Sequence, residues 1–321
     1  MPDHSRLALL LIAYRRVESV ARILDISRAS GVESVYIVID KSPKKSLSYI
    51  QEEIVSLCEE YRSDFFAMKI IKRNKNVGCA ASVMTGIDWI FDHETFACIL
   101  EDDCIPTPDF FAFAKASREI MDSNEDVLLA CGTQFAPKGL SMDPWVKSKY
   151  ALTWGWATTR RNWTLIRSGI LRTEDFSISS GKKWSLRRFL DSEERYWDSG
   201  ARRARKGYVD VWDTILLHVM RKTGKYALLP IEALVLNVGD DATATHTKSS
   251  EWTNRSTGTF SNQFSQPKHS IVIDQWLKKN FFRISARHLV STRITQIIDL
   301  LKTPIKPPLG DQFNDNQIKD L

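Results

Sequence analysis

Four short apolar runs, separated by segments of helical period, constrain this sequence more than any other feature. Leu7–Ala13 (LALLLIA), Ser34–Asp40 (SVYIVID), Phe66–Ile71 (FAMKII) and Phe96–Leu100 (FACIL) read as strands. The first is continuously apolar, as expected of a strand buried on both faces. Between the runs, Val17, Val20, Ala21, Leu24 and Ile26 recur with helical period before Gly31, and Ile50–Tyr61 and Ala81–Phe91 read as two further helices. Strands alternating with helices predict an α/β chain with a mostly parallel central sheet, flanking helices and right-handed crossovers. Ligands of such sheets bind beyond the carboxyl ends of the strands. Asp40 closes the second run and Glu101-Asp102-Asp103 follows the fourth, so topology alone brings two carboxylate sites to one rim.

The texture changes after about residue 135. Trp145, Tyr150, Trp154, Trp156, Trp163, Trp184, Tyr196, Trp197 and Trp212 are interleaved with arginines, and residues 182–206 hold nine Lys/Arg against four Asp/Glu. Tyr226–Leu236 is strand-like, with Pro230 arguing for an edge or a break. Gly239–Lys268 is rich in Ser, Thr and Asn and reads as a loop region. From Trp276 to Lys306 there are seven Lys/Arg and one acidic residue, with Phe281, Phe282, Leu289, Val290, Ile294, Ile297, Ile298 and Leu301 at roughly helical spacing. Such a basic amphipathic helix either packs on the main body or lies in an anionic membrane interface. The expected organisation is a first half over residues 1–135, a second over 136–268, and a basic amphipathic C-terminal helix and tail over 269–321.

Composition narrows the class without choosing a ligand. The 321 residues are 43% hydrophobic and 26% charged, ordinary globular values that argue against disorder. A net charge of +6 suits an anionic ligand, an acidic membrane surface or nucleic acid alike. Five cysteines with no CxxC pair disfavour a zinc ribbon or a fully paired framework and point to a reducing compartment. Leu7–Ala13 is too short for a signal h-region or a membrane span. The expected location is therefore cytoplasmic, with peripheral contact on the inner face of a membrane through 276–303 as an option. The sequons at Asn162 and Asn254 are then accidental.

Adjacent carboxylates repel, and burying Glu101-Asp102-Asp103 is costly without a cation or donors. A divalent metal held with ligand phosphates is one solution, since Mg²⁺ or Mn²⁺ commonly uses only one or two protein carboxylates. A solvated turn that caps the following helix is the other. No GxxxxGK[ST] run, no GxGxxG after the first strand and no nucleophile elbow is present. What remains is metal-assisted chemistry on a phosphorylated ligand, with Arg15 and Arg16 as diphosphate partners.

The order Ile12-Ala13-Tyr14-Arg15, Asp40, Asn76-Val77-Gly78 and ILEDDCIPTPDFF (Ile99–Phe111) resembles nucleotide-sugar glycosyltransferases of the GT-A fold, with EDD in the place of the DxD motif. LTWGWATTRRNW (Leu152–Trp163) resembles the corresponding segment of bacterial family 2 sugar transferases, and VDVWDTILLHVM (Val209–Met220) and LVLNVGDDATATHT (Leu234–Thr247) continue the pattern. The chain is also similar, more distantly, to glycoprotein β-1,2-N-acetylglucosaminyltransferases. The resemblance covers about residues 7–250. It implies a Rossmann-like nucleotide-binding half plus an acceptor half, and a hexosyl- or N-acetylhexosaminyltransferase using Mn²⁺ or Mg²⁺. Its partners would be a nucleotide-diphosphate sugar and a saccharide or lipid-linked acceptor of bacterial polysaccharide assembly, with no nucleic acid.

The same resemblance implies residue roles. Asp103 would bind the cation, and Glu101 and Asp102 would face the ribose and sugar. Asp40 would hold the nucleobase, with Ala13, Asn76 and Gly78 also on the donor side, and Arg15 would approach the diphosphate. Asp213 would deprotonate the acceptor hydroxyl, in competition with Asp210 and Asp198, with Glu193 and Glu194 as outsiders. Trp154, Gly155 and Trp156 would shape the sugar and acceptor pocket. His246 would contact the diphosphate or the metal. Two other classes compete: a metal-dependent nucleotidyltransferase or phosphohydrolase, and a non-enzymatic module binding nucleic acid through 182–206. A nucleotidyltransferase should carry a glycine-rich loop after the first strand, where this chain has Ala13-Tyr14-Arg15-Arg16.

Overall fold

In a computed structural model of the chain, residues 6–44, 47–171, 192–239, 252, 255–261, 266–285, 294–295, 298–299 and 301–307 are described. The chain runs β1 (Ala8–Ala13), α1 (Val17–Ala29), β2 (Ser34–Ile39), α2 (Ser48–Glu60), β3 (Ala67–Lys72), α3 (Cys79–His93) and β4 (Phe96–Glu101). It continues through β5 (Cys104–Pro106), α4 (Pro108–Ser123), β6 (Val127–Cys131), β7 (Trp145–Ser148), β8 (Trp156–Thr159) and α5 (Arg160–Leu171). After the undescribed 172–191 come α6 (Ser192–Arg205), α7 (Asp213–Thr223), β9 (Tyr226–Pro230), β10 (Val235–Asn237) and α8 (Ile271–Trp276).

Eight strands form one sheet in the order β3-β2-β1-β4-β8-β6-β9-β7. The four predicted strands are parallel to one another, with Leu10 opposite Tyr36 on one side and Ile99 on the other. This is the expected α/β class. Every residue of β1 and β2 is buried. Successive side chains leave opposite faces of a strand, so Leu9 and Leu11 pack with Val20, Ile23 and Leu24 of α1, while Leu10 and Ile12 pack with Val83, Met84 and Ile87 of α3. Full burial of each such leucine or isoleucine is worth about 2–3 kcal/mol, which is why two helical layers flank these strands.

The second half interleaves its strands. β8 is antiparallel to both β4 and β6, β9 is parallel to β6, and β7 closes the edge antiparallel to β9. One sheet therefore runs through both of the halves expected from the sequence. The strand-like stretch Tyr226–Leu236 breaks after Pro230, but β9 lies between β6 and β7 rather than at the edge. Its proline is the last strand residue, where the chain can turn away without leaving a gap in the ladder. β10 pairs instead with β5 in a separate two-stranded sheet.

The long helix expected over Trp276–Lys306 is interrupted. α8 passes into a π-helical turn, Leu277–Phe281, and residues 283–285 are irregular, with Arg283 at φ 51°. Its apolar residues belong partly to the core: Ile273, Leu277 and Ile284 are buried, Phe281 stacks on Phe135 and Phe282 on Tyr150. Ile294, Ile298 and Leu301 are exposed. The basic stretch becomes α6 in its described part, where Arg202 is exposed and Arg205 turns inward to donate to the Gly169 and Ile170 carbonyls. All five cysteines are free. Asn162 of the first sequon is buried and donates to the carbonyls of Val127 and Leu128, so it is closed to glycosylation in the folded chain. Asn254 lies outside the described residues. Among the described residues, no helix is long and apolar enough to cross a membrane.

Candidate functional site at the carboxyl rim

The parallel strands β1, β2 and β4 end at one rim, and three carboxylates there hold backbone. Asp102 is 4% exposed. Its Oδ2 accepts the amide N–H groups of Tyr14 (2.8 Å), Arg15 (2.9 Å) and Arg16 (3.2 Å), and its Oδ1 accepts the Arg16 guanidinium at 2.9 Å. The turn after β1 points three successive donors inward, and such a nest requires an anion. Asp102, expected to face the ribose or sugar, faces its own chain instead.

Asp40 behaves alike. Its Oδ1 accepts from the amides of Lys41 (2.9 Å) and Val77 (3.1 Å), and its Oδ2 from Gly78 N and Asn76 Nδ2, both at 3.2 Å. Burial pushes its pKa up, and these backbone donors oppose the rise. Ala13 is fully buried, and its carbonyl accepts the Asp40 amide at 3.3 Å. The third carboxylate is Asp210, from the loop before α7, which accepts the amides of Cys79 (3.1 Å) and Ala80 (3.0 Å). The amides at the start of α3, which no intrahelical carbonyl can reach, are thus shared between Asp40 and Asp210.

Three other acids at the rim are held differently. The Glu101 side chain makes no hydrogen bond or ion pair among the described residues, although its backbone belongs to β4. Burial first, then the charges of Asp103, Asp102 and Asp213, push its pKa up to about 8, against a weaker pull from Arg16. Asp103 is raised by burial and by Asp102, again opposed by Arg16, whose guanidinium lies 3.9 Å away. The Cys104 thiol donates to Asp103 Oδ1 at 3.3 Å. Gly239 crosses directly over this side chain, since a Cβ there would stand 2.6 Å from Asp103 Oδ2. Asp213 opens α7 and accepts the Thr214 amide at 2.7 Å. The preceding Trp212 stacks on Trp156 with ring centroids 5.4 Å apart, which fixes where α7 begins.

The other proposed bases sit elsewhere. Asp198 pairs with His218 Nδ1 at 3.1 Å and Lys222 Nζ at 3.2 Å between α6 and α7. Glu193 is bound by Arg221 and Lys278, each at 2.7 Å, and by the Tyr150 hydroxyl; Glu194 pairs with Lys222. Arg15 lies with its guanidinium 5.5 Å from the Tyr14 ring centre, and its Nε is buried without a partner.

Trp154 and Gly155 form the approach to β8. Gly155 has φ +72°, and a Cβ there would stand 2.6 Å from a Val235 methyl, so only glycine fits. Trp154 is partly exposed and meets Phe135 edge to face at 5.1 Å, beside a shallow pocket lined also by Asn237, Trp252 and Arg255. Trp156 is 1% exposed and supports Trp212 rather than lining an opening. His246, with Asp240 and Asp241, lies outside the described residues. Among those described, no group of three or more His, Cys, Asp and Glu side chains could hold a metal ion. Any cation here would take Glu101 and Asp103 and complete its shell with ligand oxygens, which suits a hard divalent ion. The capping role of Asp210 and the arrival of Lys306 beside it escape sequence reasoning, because both depend on long-range packing.

No family model matches the chain, and a search of the curated proteins finds no match. Among solved structures, the chain is similar to a 4-diphosphocytidyl-2C-methyl-D-erythritol synthase from Anaerococcus prevotii, with TM-score 0.33 and 10% identity over 52% of this chain and 77% of that one. It is similar to an inositol-1-phosphate CTP transferase from T. maritima, with TM-score 0.34 and 11% identity over 72% and 86%. It is also similar to a UDP-glucose pyrophosphorylase complexed with UDP-glucose, with TM-score 0.30 and 9% identity over 51% and 80%. All three belong by name to the nucleotidyltransferase class, the alternative to glycosyl transfer. At these scores and identities the likeness carries no functional argument.

Proposed function

We propose that the chain is a glycosyltransferase that moves a sugar from a nucleotide-diphosphate donor to a hydroxyl of a saccharide or glycolipid acceptor, with inversion. The observation that carries this reading is the division among the rim carboxylates. Asp40, Asp102 and Asp210 hold backbone, and the donors around Asp40 oppose the rise that its burial causes. Glu101 and Asp103, by contrast, are raised by burial and by neighbouring carboxylates, Asp103, Asp102 and Asp213 acting on Glu101 and Asp102 on Asp103. Mn²⁺ or Mg²⁺, held by Asp103 and Glu101 together with the donor's diphosphate, would neutralise that repulsion and stabilise the departing charge. The orphaned Nε of Arg15 supports an anionic ligand nearby.

Asp213 accepts the proton of the acceptor hydroxyl as its oxygen forms the bond to the anomeric carbon and the bond to the diphosphate breaks. The partly exposed Trp154 offers a flat apolar face for a pyranose, and the buried Phe135 supports it edge to face. Incubation with UDP-, GDP-, CMP- and dTDP-sugars and Mn²⁺ should release free nucleotide, and EDTA or Asp103→Ala should abolish the release. Full turnover in EDTA would reject the role of the cation.

The second reading is nucleotidyl transfer, the class of the similar solved structures. A nucleoside triphosphate would have to be received at the turn after β1, yet Asp102 already fills the three inward amides there. Pyrophosphate release from a nucleoside triphosphate and a sugar phosphate, with no glycosyl transfer, would establish this second reading and displace the first.

A further inference from the structure

The C-terminal segment returns to the rim. Asp299, 8% exposed, pairs with Arg203 of α6 at 3.1 Å. The amides of Ile305 (2.9 Å) and Lys306 (3.1 Å) both donate to the Gly207 carbonyl. A Cβ at Gly207 would stand 2.1 Å from the Lys306 carbonyl oxygen, so the missing side chain is what lets the strap lie down. From there Lys306 reaches the start of α3. Its Nζ lies 3.5 Å from the Val77 carbonyl and 4.0 Å from Asp210 Oδ2, and a Cβ at Gly78 would be 2.7 Å from it.

An ammonium group carries three donors and no acceptor. One long contact to a carbonyl and one carboxylate at 4.0 Å leave that capacity largely unused. The positive charge nevertheless stands between the loop held by Asp40 and the residue that caps α3, two segments from different halves of the chain. Cys79, the residue after Gly78, donates its amide at 3.1 Å to the same Asp210 Oδ2 that Lys306 approaches, so the ammonium stands where α3 begins at the rim.

We propose that Lys306 is a donor-binding residue, its ammonium bonding a phosphate oxygen of the nucleotide diphosphate, so that the strap 301–307 completes the site rather than trailing from it. The inference rests on the nucleotide-sugar reading above and adds to it a ligand contact from outside the region of family resemblance. The strap keeps the cation in place before the ligand arrives, so binding need not order a free tail.

The test is calorimetric titration of the full chain with UDP, GDP, CMP and dTDP in Mn²⁺, and with the corresponding neutral nucleosides. Lys306→Met should weaken the nucleotide that binds the wild-type chain by about tenfold or more, as expected for a charge-assisted hydrogen bond. It should leave the matching nucleoside within about twofold, and Lys306→Arg should restore most of the affinity. Hydrogen exchange at the amides of Ile305 and Lys306 shows whether the strap of each variant is still docked. Equal nucleotide affinity in wild type and in Lys306→Met would overturn this inference alone. Equal losses for nucleotide and nucleoside, or a loss that appears only with an undocked strap, would also overturn the phosphate contact. Absence of nucleotide binding by the wild-type chain would overturn both this inference and the reading beneath it.

Discussion

Asp102 and Asp103 are neighbours in sequence and opposites in circumstance. The first stands in the cradle made by the turn after β1, with three backbone amides and a guanidinium around it. The second stands at the opening beyond, where its chief charged neighbour besides Arg16 is another carboxylate. The same contrast separates Asp40 and Asp210, which hold the start of α3, from Glu101, whose side chain holds nothing among the described residues. An acidic rim thus contains two populations: one stabilises the scaffold, and the other raises the free energy of the unliganded site until a cation or a proton arrives.

The sharpest way to break this contrast is Asp102→Ala. Four donors would be left without their acceptor in a buried place, and the chain should lose about 3–5 kcal/mol in urea unfolding. A loss below about 1 kcal/mol would put Asp102 in the same population as Asp103. Asp213→Asn comes next. It should lower transfer by ~10²-fold or more while nucleotide affinity and unfolding midpoint stay unchanged, and unaltered turnover would remove Asp213 as base.

Asp210→Ala should cost about 1–2 kcal/mol, the usual range for a lost helix cap, and speed hydrogen exchange at Cys79 and Ala80. Unchanged exchange there would show that Asp210 holds nothing. Glu101→Gln probes the other population. Glu101 is raised from an ordinary value near 4.5 to about 8, so the folded chain keeps a proton that the unfolded chain releases. Its contribution is fully present below about pH 4.5 and is lost as pH rises toward 8. The glutamine variant should therefore melt at a higher temperature than wild type at pH 8 and at the same temperature at pH 4. A lower melting temperature at pH 8 would contradict the repulsion. Saturating Mn²⁺ should narrow the difference.

The parallel half was legible because burial on both faces writes itself as continuous apolar letters: β1 and β2 lie within one residue of Leu7–Ala13 and Ser34–Asp40. The second half was legible only at Tyr226–Leu236, which holds β9 and the start of β10. β7 and β8 are four residues each and include Lys147, Thr158 and Thr159, whose polar atoms are accommodated by specific partners, such as the Leu128 carbonyl for Thr158. Nothing periodic announces such a strand. At the site, the sequence marked which carboxylates reach the rim but not which way each one turns. That depends on where unpaired amides point, and the amides of Tyr14–Arg16 and Val77–Ala80 become visible only once the turns are formed. The long C-terminal helix failed for a related reason: its aromatic residues at helical spacing met Phe135 and Tyr150, and packing ended the helix early.

The reversed course of β8 carries one more consequence. Trp156 pairs with Ile99 on one side and Cys131 on the other, so the chain leaves the rim at the end of β6 and comes back to it at the start of β8. Both feet of the excursion 132–155 are stapled together, the Gly132 amide to the Gly155 carbonyl at 2.7 Å and the Thr133 hydroxyl to the Trp154 carbonyl at 2.6 Å. Its outer part precedes β7: Lys138 there ion-pairs with Glu232, while Gly139 has nothing packed against it and Met142 is 96% exposed. A cassette built this way can drift or be exchanged at its tip without shifting any strand's register. Sequence change at that tip leaves both Trp154 and the acidic corner in place.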